Sequence, residues 1–324
     1  MGMFSNKGKR YINDKNNYNQ TKGIMRNKLP IILLLSGIAA AVIIIAVILI
    51  IKPESSKSTK ETLFVEQEKT LIKGGEIIQI NDPELGLIEI EAVKGAPKNT
   101  YDQNNFKNDS NGYKAYYING KEASCTGIDL SEYQGDIDFN AVKNSGVTYV
   151  MLRLGGRYYS DEGDMYKDDM FDTYYENAKK AGLKVGAYFF SQAASVEDGI
   201  AEAQFAISIL DGKKLDFPIA FDWETIAEDN ARTDSVTGEE LTNIAIAFCQ
   251  TLNEKGFDSI IYSNTSLMYY MYDLSKLKEY DFWVADYTDL PTMYYNFTMW
   301  QYTTDGTVPG VEGTVDLNIC FKNY

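Results

Sequence analysis

The sequence predicts an α/β protein built on an irregular TIM-like barrel, and three observations carry that expectation. From about Cys125 to the C-terminus, short apolar runs of β character alternate with amphipathic helical segments. Eight such runs fit into about 200 residues, the low end for a closed barrel. The connections nearest the C-terminus, 10 or 11 residues rich in Pro, Gly and Thr, are shorter than helical crossovers need. An open doubly wound sheet satisfies the same spacing and stands as the alternative.

Taken from the N-terminus, residues 1–28 hold seven basic side chains (Lys7, Lys9, Arg10, Lys15, Lys22, Arg26, Lys28) and one acid, Asp14. Residues 29–51 are 23 uncharged positions dominated by Ile, Leu, Val and Ala, enough to cross a bilayer as a helix. A cleaved leader would have a shorter apolar region and a small-residue cleavage site, whereas this run passes straight into Lys52-Pro53-Glu54. It reads as an uncleaved signal anchor, a transmembrane helix with the lipid bilayer as its partner; a buried core helix is the alternative. The basic flank makes 1–28 a cytoplasmic tail and puts everything after residue 51 outside the cell membrane.

Residues 52–124 read as an extracellular tether and a small β-rich stalk. Positions 52–70 are charged and Ser/Thr-rich without periodicity. Two β-like runs follow, Glu76 to Ile80 and Leu87 to Val93, joined through Asn81-Asp82-Pro83 and Gly86. A polar stretch from Lys98 to Gly112 leads to a strand at Tyr113 to Ile118, with an Asn119-Gly120 turn.

Within the barrel domain, 125–324, strands are expected at Gly127 to Leu130, Thr148 to Leu154, Lys184 to Phe190, Pro218 to Trp223, Ser259 to Tyr262, Phe282 to Tyr287, Thr298 to Tyr302 and Thr314 to Asn318. Helices are expected at Phe139 to Asn144, Asp169 to Ala181 with Gly182 as its stop, Ser195 to Leu210, and Thr237 to about Lys255. In the last of these Thr237 and Glu240 form a capping box, and Gly256 ends the helix. A fifth helix lies between Asn264 and Leu277. Alternating elements imply a parallel sheet.

Composition narrows the chemistry. The chain has 31 basic and 46 acidic residues, a net charge of -15 and no histidine. Acidity argues against a nucleic-acid partner, whose binding relies on basic surface. Missing histidine excludes Ser-His-Asp triads, Cys-His dyads and imidazole-ligated metals, and no cofactor or metal is expected. Split by region, the charge is +6 before the apolar run and -21 after it, from 24 bases and 45 acids.

The segment Phe217 to Glu224 carries the strongest chemical signal. By strand alternation Ile219, Phe221 and Trp223 share one face, and Ala220, Asp222 and Glu224 the other. The bulky set faces the helices, which makes Trp223 structural; the acids then point into the lumen at the strand's C-terminal end, where such barrels place catalysis. Neighbouring carboxylates raise one another's pKa, which keeps one protonated as a general acid. An exposed strand end or an ion pair is the alternative reading. Asp129 at the end of the first strand and Asp316 in the last would join them if the barrel closes.

The motifs Gly127-Ile128-Asp129-Leu130-Ser131-Glu132-Tyr133-Gln134-Gly135, Asp222-Trp223-Glu224, Trp283-Val284-Ala285-Asp286-Tyr287, Trp300-Gln301-Tyr302 and Val315-Asp316-Leu317-Asn318 closely resemble those of glycoside hydrolase family 25, the N-acetylmuramidase lysozymes. The resemblance runs in order from about Thr126 to Phe321. It implies five strand-helix units followed by three strands, and cleavage of the β-1,4 bond between N-acetylmuramic acid and N-acetylglucosamine in peptidoglycan glycan strands. It also implies Glu224 as acid/base and Asp222 as the carboxylate that orients the substrate's acetamido group in a retaining, substrate-assisted route. Asp129 and Asp316 match the family's two other acidic cleft positions. With an anchor at 29–51, the expected role is remodelling of the cell's own wall.

Tyr188, Tyr262, Trp283, Tyr287 and Trp300 lie at or near strand ends and are the expected substrate-binding aromatics, although with 24 tyrosines most such rings must pack elsewhere. The cysteines, Cys125, Cys249 and Cys320, are an odd number for an oxidising compartment. Cys249, beside Phe248 on an apolar helix face, is expected to be a buried free thiol in preference to a disulfide partner, and a catalytic cysteine would lack an activating histidine. Two other functions remain: a non-catalytic glycan-binding scaffold, which loss of Asp222 or Glu224 would have favoured, and a glycosidase of other specificity.

Overall fold

The computed structural model describes residues 74–82, 85–226 and 230–324. The expected cytoplasmic tail, the expected membrane span at 29–51 and the tether at 52–70 lie outside the described residues. Among those described, no helix is long and apolar enough to cross a membrane.

Strands β1 (Gly74–Asp82) and β2 (Gly86–Val93) form an antiparallel hairpin with Ile80 opposite Ile88 and Ile78 opposite Ile90. Alternation buries Ile78, Ile80 and Ile90 on one face. Short strands β3 (Phe106–Asn108), β4 (Lys114–Ile118) and β5 (Lys121–Glu122) make a second sheet. Its Asn119-Gly120 turn has φ of 52° and 75°, the left-handed pair that a two-residue hairpin requires.

The remaining strands are β6 (Cys125–Leu130), β7 (Tyr149–Arg157), β8 (Met165–Lys167), β9 (Lys184–Ser191), β10 (Ile219–Trp223), β11 (Ser259–Asn264), β12 (Asp281–Ala285), β13 (Met299–Gly306) and β14 (Val315–Cys320). Interleaved helices are α1 (Phe139–Asn144), α2 (Phe171–Lys180), α3 (Val196–Leu210), α4 (Gly238–Asn253) and α5 (Thr265–Tyr270). All but β8 hydrogen-bond into a closed ring, β6-β7-β9-β10-β11-β12-β13-β14 and back to β6. Closure disposes of the open-sheet alternative.

The all-parallel expectation needs correction: β14 runs antiparallel to both β13 and β6. A hairpin suffices to return the chain over residues 307–314, whereas a parallel return needs a dozen residues or more. Two further differences are local. Strand β7 runs on through Gly155 and Gly156 because β8 pairs there, and a Cβ on Gly155 would sit 2.0 Å from the Tyr166 carbonyl oxygen. Helix α5 stops early, and beyond it the Asp273 carboxylate accepts from the Ser275 amide (3.1 Å) and hydroxyl (2.6 Å), closing a local turn.

Parity along each strand sorts the core into two layers. Outward residues such as Ile219, Phe221 and Trp223 pack under the helices. Inward residues Tyr149, Met151, Ala220, Ile260, Tyr262, Trp283 and Met299 fill the lumen, which is therefore a packed interior. The capping box of α4 forms as its sequence specifies, with Glu240 N–H donating to Thr237 Oγ1 (3.3 Å) and Thr237 N–H to Glu240 Oε2 (2.8 Å).

Among the described residues no helix follows β12 or β13 in the chain, and residues 93–116 pack on this side of the barrel instead. Tyr101 stacks on Phe321 at 4.2 Å, Phe106 meets Trp300 edge-on at 5.6 Å, and Val93 N–H donates to the Tyr295 hydroxyl at 2.9 Å.

Candidate active site

The C-terminal ends of β6, β10 and β13, with the start of β14, meet at one mouth of the barrel. Asp129 and Asp316 are directly opposed across the β6–β14 seam. Asp222 is in register with Tyr262 on one side and Phe190 on the other, and Glu224 follows just past the strand end.

The two buried acids have contrasting surroundings. Asp129 Oδ2 accepts from Gln301 Nε2 at 2.9 Å and Asn318 Nδ2 at 2.8 Å. Burial raises the Asp129 carboxyl, and these two amides oppose the rise. Asp222 has no such donors, and its Oδ1 is buried without a hydrogen-bond partner. Burial pushes the Asp222 carboxyl well above the carboxylate range; the charge of Glu224 and a hydrogen bond to it push the same way. Burial and the neighbouring carboxylate thus favour one proton held between Asp222 and Glu224. The charge of Arg153 opposes the rise, but this guanidinium is paired with Asp168 at 2.7 Å and Glu132 at 3.0 Å, and lies 4.8 Å from the Tyr133 ring centroid.

The structure brings Glu224, Asp222, Asp129 and Asp316 to this mouth, together with Tyr188, Tyr262, Trp283 and Tyr287. Trp283 and Tyr262 are buried, and their polar atoms face inward: Trp283 Nε1 donates to Asn318 Oδ1 at 2.8 Å, and the Tyr262 hydroxyl to Gln301 Oε1 at 2.9 Å. Tyr287 is 54% exposed and donates to the same Gln301 oxygen at 2.8 Å. These aromatics hold the two amides that hold Asp129.

Trp300 is a correction. Its neighbours Met299 and Gln301 take the inward positions of β13, so Trp300 points out of the barrel. Fully buried there, it packs against Phe106 and donates Nε1–H to the Asp286 carbonyl at 2.7 Å. It cannot touch a substrate in the cleft. Trp223 also faces outward, donating to the Ala193 carbonyl at 3.0 Å.

Three residues of the site carried a signal that the sequence reading passed over. Gln301, Asn318 and Arg153 are polar residues at inward parity, beside apolar inward neighbours such as Met299, Cys320 and Met151. A fourth, Gln192, lies in the loop after β9 and donates Nε2–H to the Glu224 carbonyl at 3.0 Å, which steadies the backbone under the second acid. Among the described residues, no group of three or more Asp, Glu or Cys side chains is disposed to hold a metal ion.

This arrangement suits proton transfer to and from a glycosidic oxygen, and comparison with known proteins agrees. Residues 128–311 match the model of the glycosyl hydrolases family 25. The chain belongs to that family. It is 31% identical over 194 residues to the autolytic lysozyme of Clostridium acetobutylicum, covering 59% of this chain and 54% of that one. Against lysozyme M1 of Streptomyces globisporus the identity is 29% over 201 residues, 59% of this chain and 66% of the relative. This family 25 chain thus spans about half the length of the first of these relatives. Among solved structures it resembles the spore cortex lytic enzyme SleM of Clostridium perfringens, at 25% identity with a TM-score of 0.53, over 62% of this chain and 68% of that one. The family 25 fold is shared also with the modular autolysin LytC of Streptococcus pneumoniae (22% identity, TM-score 0.53, 75% of this chain and 56% of that one).

Proposed function

We propose that this chain is a membrane-anchored peptidoglycan hydrolase, a lysozyme that cleaves the β-1,4 bond between N-acetylmuramic acid and N-acetylglucosamine. The observation that carries the reading is the Asp222–Glu224 pair: two acids at one strand end, in hydrogen-bond contact, the first of them desolvated and with its carboxyl raised well above the carboxylate range. Glu224 donates its proton to the leaving oxygen while the substrate's acetamido oxygen attacks the anomeric carbon. With the pair's shared proton on Glu224, Asp222 is left as the carboxylate, and its Oδ1, buried without a protein donor, accepts the acetamido N–H and stabilises the positive charge that develops there. Water activated by Glu224 then opens the intermediate, giving net retention. Asp129, fixed by Gln301 and Asn318, and Asp316 beside it orient the sugar at the −1 position. Residues 29–51 anchor the enzyme in the cell membrane with the barrel outside, where its substrate is the wall of its own cell.

The test is incubation of the protein with purified peptidoglycan and identification of the new reducing ends by mass spectrometry. Muramic acid ends are expected. Glucosamine ends would overturn the bond assignment, and retained binding without cleavage would leave a glycan-binding scaffold.

A further inference from the structure

Cysteines occupy the floor of the seam that closes the barrel. Along β6 the inward positions are Cys125, Gly127 and Asp129; along β14 they are Asp316, Asn318 and Cys320. The antiparallel register pairs them rung by rung: Asp129 with Asp316 at the mouth, Gly127 with Asn318 below, Cys125 with Cys320 at the bottom. Directly opposed residues of an antiparallel pair have Cα atoms about 4.5 to 5.5 Å apart, inside the span a disulfide bridges. The two thiols are close enough to shift each other's ionisation. Cys249, by contrast, is buried in α4 under the outer face of the sheet, away from both.

We propose that Cys125 and Cys320 are a modification site, a cross-strand disulfide installed by exchange with a low-molecular-weight disulfide, which locks the first strand of the barrel to the last. The two thiols are unequal. Cys320 is buried, donates Sγ–H to the Lys322 carbonyl at 3.2 Å, and is held strongly protonated by its neighbour and by burial. Cys125 is half-buried and lies in the lining of a surface cavity of about 500 Å³ that also involves Thr126 and Thr148. Its thiol is lowered from the ordinary range by its neighbour Cys320 first, then by Thr148 and the charge of Lys184, against the opposing effect of burial.

Cys125 is therefore the attacking group. Its thiolate displaces one sulfur of a small disulfide RSSR: the S–S bond breaks, Cys125–S–SR forms and RS⁻ leaves. That thiolate takes the proton of Cys320, whose sulfur attacks Cys125 Sγ, forming the protein disulfide and expelling a second RS⁻. This second thiolate picks up the proton that Cys125 had released. Two protein thiols are oxidised and one RSSR is reduced to two RSH.

The experiment uses the full chain in mild detergent, exposed to oxidised glutathione, alkylated and peptide-mapped by mass spectrometry. Expected is a single cross-linked peptide joining Cys125 to Cys320 and lighter by two hydrogens, with Cys249 alkylated only after denaturation. The bridge encloses about 200 residues, so the melting temperature should rise by about 10 °C and fall back on reduction. In Cys320→Ser, the reaction should stop at the Cys125–glutathione adduct. The proposal is overturned by a stable adduct on Cys125 in the wild-type chain, by a bridge that includes Cys249, or by a melting temperature indifferent to reduction.

Discussion

Glu202 on α3 and Asp222 on β10 are both acids buried near the same end of the barrel, and both lose their water on folding. Glu202 meets Arg157 Nε at 2.7 Å, Ser191 Oγ at 2.5 Å and the Gln192 amide at 3.3 Å. Even so, burial outweighs these partners and raises its carboxyl to about 7. Asp222 has no partner cation, is left with Glu224, and goes further in the same direction. A guanidinium at hydrogen-bond distance limits what desolvation does to a buried acid; a second acid adds to it. The first arrangement joins β7, β9 and α3, and the second leaves a proton available to a ligand.

Substitutions test that division. The largest effect is expected for Glu224→Gln, which should cut the rate of muropeptide release about 10³-fold and leave thermal unfolding within 2 °C or so. Unfolding well below the wild type would mean that the pair is structural. Arg157→Met strands Glu202 and should cost about 3 kcal/mol in denaturant unfolding, with kcat for the folded fraction within about twofold of the wild type; a selective loss of kcat would erase the distinction between the two acids.

The third effect depends on pH. Glu202 has a folded-state carboxyl above its ordinary 4.5, so it binds its proton more tightly folded than unfolded. Its stabilising contribution is complete below 4.5 and is lost as pH rises through about 7. Compared with Glu202→Gln, the wild type should lose about 3 kcal/mol across that window. Parallel unfolding curves would show that Glu202 is not the desolvated acid. The smallest effect is Tyr287→Phe, which removes one of two hydroxyls on Gln301 Oε1 and should lower kcat about threefold, near 0.7 kcal/mol; an unchanged rate would show that Tyr262 alone orients Gln301.

Much of the site was legible through strand parity. The face assignment of Ile219 to Trp223 against Ala220 and Asp222 follows from alternation, because a residue on a barrel strand has only two directions to point. The same rule, applied to β13, turns Trp300 outward; its place in a conspicuous aromatic motif had suggested otherwise. It would also have picked out Gln301 and Asn318. Less legible was what covers the outer face of β12 to β14. Helix-covered strands announce their cover in the chain that follows each one, but here the cover comes from residues 93–116, nearly 200 positions away from the strands they protect. Local pattern carries no trace of so distant a pairing. Glu76 to Ile80 and Leu87 to Val93 did read as two β runs joined by a turn, yet nothing in their alternation revealed that Val93 and Tyr101 would reach Tyr295 and Phe297.

The antiparallel seam between β6 and β14 also sets an order of events. A chain emerging from its N-terminus can form the neighbouring pairs from β6 to β13 one after another, but β6 keeps an unpaired edge until Val315–Cys320 arrives. Until then Asp129 lacks Asn318, and the acids of the mouth are not assembled. Until β14 docks, the barrel is an open sheet with bare edges at β6 and β13. Non-local closure of this kind is slow, so the four acids come together only at the pace at which β14 finds both of its neighbours.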